Sequence, residues 1–147
     1  MRENSHLPKL MAKIRTYSQL CRLETFEQRY QYLRLIGVVG DSTFGFDRAL
    51  NQQFYHSNEW RRVRSFVISR DNGCDLGVPG YEIQSGLIIH HMNPISLDDI
   101  RHGGEALLDP EFLITTTLPT HNAIHYGDET LLPRGPVERK SGDTTLW

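Results

Sequence analysis

Between Ser18 and Ile36 the apolar residues Leu20, Leu23, Phe26, Tyr30 and Leu33 recur at steps of three and four, the spacing of one face of an amphipathic helix or of two short ones. The string TFEQ, Thr25 to Gln28, has the form of a capping box and starts the second helix at Thr25. Gly37 is its stop signal. GVVGDSTFGF (37–46) is a glycine-rich loop. It lacks the GK[ST] ending of a phosphate-binding loop and follows no clear strand, so that function is rejected. A short helix is predicted from Asp47 to Tyr55. The next, NEWRRVRSFVISR, is capped by Ser57 or Asn58 and carries Trp60, Val63 and Val67 on one face, with its arginines mostly elsewhere.

From Asp71 the texture changes. RDNGCDLGVPGYEI is rich in turn residues, and GLIIHHMN reads as a strand bounded by Gly86 and Pro94, which together predict a β-hairpin. LDDIRHGGEALLDPEF reads as a loop, with a helical turn after Ser96. LPTHNAIHYG reads as a short helix, with Pro119 in its first turn and Gly127 past its end. The tail after Asp128 has two prolines and little periodicity and is expected to be extended, with Trp147 as an anchor. The fold class expected is α+β.

The 147 residues suffice for one domain with a core, and 38% hydrophobic with 23% charged residues is ordinary for a globular chain. No apolar run approaches the roughly 20 residues that span a bilayer, and MRENSHLPKL lacks the apolar centre of a signal peptide. Cys21 and Cys74 have no CxxC partner and read as reduced thiols of a cytoplasmic protein, Cys21 as a small buried hydrophobe. Charge is uneven: residues 1–70 hold 12 Lys/Arg against 6 Asp/Glu, residues 71–147 hold 4 against 12. A basic half joined to an acidic half suits a protein that meets phosphate with one part and handles cations with the other. Guanidinium groups pair with phosphate bidentately, which makes Arg61, Arg64, Arg70 and Arg101 the candidate phosphate contacts to a nucleic acid.

The chemistry lies in the histidines. His121 and His125, four apart on the short helix, project from one face, a spacing that lets two imidazoles hold one metal ion. A third ligand would come from His90 or His91 on the strand. Strand neighbours point to opposite faces, so one of the two can face the ion while the other stays free to take a proton from water. The motif HExxH is absent, which gives a zincin protease no support.

With these residues in view, residues 57–127 resemble the HNH endonuclease family, whose nuclease core is the ββα-metal finger. FYHSNEW followed by RRVRSFVISRDNGC resembles the lead-in helix, IIHHMNPIS the first motif strand, and DPEFLITTTLPTHNAIHYG the segment that runs into the metal-binding helix. The histidine set is closest to that of the bacteriocin-type DNases. The whole chain, with TFGFDRALNQ and the tail, resembles small HNH proteins of bacteriophages of Gram-positive bacteria. The resemblance implies a helical region over 1–56 that contacts DNA or a partner, a nuclease core over 57–127 and an extended arm over 128–147. It implies His91 as general base and His90, His121 and His125 as ligands of one divalent metal ion (Zn, Ni, Mn or Mg). It implies hydrolysis of phosphodiester bonds in DNA, duplex above all, in phage DNA processing, homing, or packaging beside a terminase in the bacterial host cytoplasm. The alternative is a non-catalytic, metal-bound module that binds DNA or protein. Two departures stand out. Of the cysteines that bind a structural zinc in many members only Cys74 is present, and the position of the family's bracing asparagine is Phe112.

Overall fold

The computed structural model of the chain describes residues 14–35, 48–95, 99, 101 and 105–132. The expectations for Gly37, the loop over 37–46, Ser96 and the tail beyond Leu132 lie outside them. The N-terminal periodicity resolves into two short helices, α1 (Tyr17–Leu20) and α2 (Phe26–Leu33). The capping box forms in full: the Thr25 hydroxyl accepts from Gln28 N and the Gln28 side chain accepts from Thr25 N. Helices α3 (Arg48–Tyr55) and α4 (Asn58–Arg70) follow, with Ser57 capping α4 through Trp60 N. None of the described helices is long and apolar enough to cross a membrane.

The predicted hairpin takes a different partner. The turn-rich stretch forms its own two-residue ladder, β1 (Cys74–Asp75) with β2 (Tyr81–Glu82), whereas β3 (Leu87–His91) pairs antiparallel with β4 (Leu113–Thr117). The intervening segment folds back through α5 (Glu105–Leu108) and a 3₁₀ turn (Pro110–Phe112). Strand β4 runs straight into α6 (Leu118–Tyr126). Thr117 caps that helix, a proline stands in its first turn, and Gly127 closes it in the left-handed region at φ 65°. The fold is thus a mix of helices and small antiparallel sheets.

The β3–β4 pair separates two cores. Leu20, Tyr32, Leu33, Met92, Ile114 and Ile124 pack on one side, and Trp60, Val67 and Leu113 on the other with Phe54, Val63, Ile89 and Leu108 around them. The first core joins residues before and after position 56, so the helical start and the strand-helix unit share one interior. Cys21 is exposed, not the buried hydrophobe expected of it.

In a two-stranded sheet the outer edge of β4 must find other partners. Two buried carboxylates provide them: Asp71 accepts from Thr115 N at 2.8 Å and Asp75 from Thr117 N at 3.1 Å. Leu76 N donates to Thr115 O. Asp75 also accepts from the hydroxyls of Thr117 and Thr120 and from Gly77 N, which pins the start of α6. Burial pushes its carboxyl up, against these hydrogen bonds, which pull it down. Gly77 packs so tightly here that an added Cβ would stand 2.5 Å from Thr120 Cγ2. Thr120 is fully buried and hydrogen-bonded, so it cannot swing away. Gly77→Ala is therefore expected to cost about 1–3 kcal/mol in a denaturant melt.

Candidate functional site

Register sets which histidine faces which core. Residues opposite one another in an antiparallel pair share a face, and His90 stands opposite Ile114 while His91 stands opposite Leu113. His90 therefore looks towards α6 with Ile114, and His91 towards α4 with Leu113. On α6 the four-residue spacing holds His121 and His125 one turn apart, with ring centroids 4.2 Å from each other. The His90 ring lies edge-on to both at 5.2 Å. One ligand atom from each of the three lies within 4.8 Å of the others.

The electrostatics of this cluster favour neutral imidazoles. His90 is buried, and burial first, then the neighbouring His121 and His125, hold its pKa well below the ordinary value. Burial lowers His121 as well, and burial together with His121 lowers His125 to about 4. His90 Nε2 and His121 Nδ1 are buried with no hydrogen-bond partner among the described residues. Buried polar atoms are rarely left so, and a cation is one partner that closely grouped imidazole nitrogens can take. His90, His121 and His125 are thus a set that could hold a metal ion.

His91 has a different setting. Its ring is stacked on Trp60 at 5.3 Å and 15°, and its Nε2 lies 3.2 Å from Leu107 O. A carbonyl only accepts, so Nε2 carries the proton and Nδ1 keeps the lone pair. Trp60 is itself wedged between Phe54 and Tyr55, at 5.4 and 5.2 Å, and buried. Burial holds His91 down to about 4, and the Leu107 carbonyl acts weakly in the other direction. The result is a neutral imidazole with a fixed tautomer and a fixed plane, next in sequence to His90 yet outside the three-histidine cluster.

The arginines divide. Arg61, Arg64 and Arg101 are exposed. Arg70 turns inward: it donates to both Asp71 oxygens, to Pro110 O at 2.7 Å and to Leu113 O at 2.6 Å, and its guanidinium lies 3.6 Å over the Tyr17 ring. Four of its five N–H groups are spent inside the fold, so its position is that of a brace and does not match the phosphate contact expected of it. Arg70 stands in the last turn of α4, where the helix face meets β4 and the turn before it.

The turn Asp109–Leu113, which follows the Leu107 carbonyl, is fixed by Arg70, by Asp109 accepting from Glu111 N, and by Met92 N donating to Phe112 O. Phe112 contributes only its backbone here. Asn93 braces something else: its amide accepts from Arg15 N and donates to Arg15 O. Arg15 in turn donates to Tyr32 O and Arg34 O. Trp60, Asn93 and Arg15 escaped the sequence as site residues. Only Trp60 left a signal, an aromatic on the apolar face of α4 with Val63 and Val67. No family model, no curated protein and no solved structure matches this chain.

Proposed function

We propose that the chain is a metal-dependent DNA endonuclease of the HNH type, with β3, β4 and α6 as its ββα-metal finger. The observation that carries the reading is the division of labour among four histidines: three converge on the α6 side of β3, and the fourth, next in sequence to one of them, is held apart by Trp60 and the Leu107 carbonyl.

His91 is the base. Water attacks the phosphodiester in line, Nδ1 of His91 takes its proton, and the bond from phosphorus to the 3′ oxygen breaks; the 3′ oxygen leaves with the bonding pair and takes a proton from solvent, giving a 3′ hydroxyl and a 5′ phosphate. The low proton affinity of His91 in the free protein keeps it neutral and ready to accept, and the negative charge of a phosphodiester beside it raises that affinity towards the working pH. Trp60 and the Leu107 carbonyl hold the imidazole so that only Nδ1 can serve. His90, His121 and His125 hold a divalent ion, which when bound supplies positive charge for the phosphate oxygens. Three imidazoles suit Zn, Ni or Mn better than Mg, which prefers oxygen ligands. Arg61, Arg64 and Arg101 are the exposed cations available to the DNA backbone.

The test is supercoiled plasmid with Mg²⁺, Mn²⁺, Ni²⁺ or Zn²⁺, each with and without EDTA. Nicked or linear product with at least one ion and none with EDTA is expected. Intact plasmid with every ion overturns the enzyme and favours a metal-bound binding module.

A further inference from the structure

On the His91 side of β3 lies a cleft of about 220 Å³. Its walls are largely apolar, with Ile14, Ile95 and Phe112 among them, and its polar members are His91, Asn93 and Asp99. A water occupies about 30 Å³ of liquid, so the cleft has room for roughly seven, or for one ring system. It is smaller than the roughly 300–1,000 Å³ of sites for drug-sized ligands. The walls choose the ligand. Apolar side chains cannot solvate an anion, so a phosphate stays outside. What fits is flat, uncharged and polar at one edge. Phe112 is part of its lining, and His91 and Asn93 are its polar members besides Asp99.

We propose that this cleft is a nucleobase subsite, taking one unstacked base from the strand whose phosphate lies before His91. The inference rests on the nuclease reading and narrows its substrate. A base reaches such a cleft only after leaving its stack, which costs a few kcal/mol in a duplex and least where the base is already unpaired. DNA with an unpaired stretch is then the preferred substrate. Phe112, where the HNH pattern has its asparagine, is a specificity residue in this account.

The experiment uses the full chain in EDTA, so that nothing is cleaved. Methyl NMR of Ile14 and Ile95 is followed while a short single-stranded dT oligomer is added, or an abasic strand of the same length. Both methyls are expected to move saturably with the dT oligomer and to stay still with the abasic strand. Phe112→Ala is expected to weaken dT binding about fivefold or more, the loss of one stacked base, while Phe112→Tyr retains it. Ile14 is 66% exposed, so Ile14→Ala folds as the parent does and is expected to weaken dT binding in the same direction. Still methyls, equal movement with the abasic strand, or unchanged dT affinity in Phe112→Ala and Ile14→Ala overturns the subsite. Plasmid cleavage separates the two readings. Cleavage with still methyls removes the subsite and keeps the nuclease; moving methyls without cleavage by any ion does the reverse.

Discussion

His91→Ala is expected to cut plasmid about 10²–10⁴-fold more slowly than the parent chain while binding metal with nearly the same affinity. The size follows from removing a positioned base, and the split between the two measurements follows from the register. His91 shares its face with Leu113 and Trp60, whereas His90, His121 and His125 lie together on the α6 side. Truncation uncovers one face of Trp60 and leaves Leu107 O without its donor, which costs some stability but moves none of the three ligands. Cleavage rates under saturating metal, with calorimetry on the same protein, make the comparison. A variant that cuts as fast as wild type removes His91 from the mechanism, and one that loses the ion as well makes His91 a ligand.

His125→Ala is expected to have the opposite signature: metal affinity falls by more than about 100-fold, and cleavage falls with it at any metal concentration that does not compensate. Partners that merely orient a ligand are worth about 10–100-fold, and the ligand itself is worth more. Loss of the fold is not expected to explain the result. His125 is half-buried in the last turn of α6, and because its pKa is near 4 it is uncharged at neutral pH. Its removal therefore takes no cation from the helix C-terminus, where a charged imidazole would have contributed. Far-UV circular dichroism unchanged from wild type, together with calorimetry, makes the test. Unchanged affinity would exclude His125 from the site.

The helices were legible because their signals are local. Thr25 and Gln28 close a capping box, Ser57 caps α4, and Pro119 and Gly127 frame α6, each within a few residues of its partner. The four-residue step from His121 to His125 and the alternation of His90 and His91 are likewise properties of single elements, so their directions could be worked out in advance. Pairing between strands is not local. The run LITTT carries β-branched residues fit for a strand, yet it lies over twenty residues from LIIHH, and the nearer YE segment drew the expected hairpin. Arg70 was misplaced for the same kind of reason. Whether the last turn of a helix faces water depends on what crosses it, here β4 and the turn before it, and no periodicity within α4 reports that. Asp71 and Asp75 looked like turn residues. Their work, satisfying the open edge of β4, exists only once the sheet has formed.

The most direct test of the central claim is a crystal structure of the full chain grown with Ni²⁺ or Zn²⁺. One ion bound by nitrogens of His90, His121 and His125 at about 2.0–2.1 Å is expected, with His91 still stacked on Trp60 and not coordinated. An ion held elsewhere, or held through His91, would contradict it.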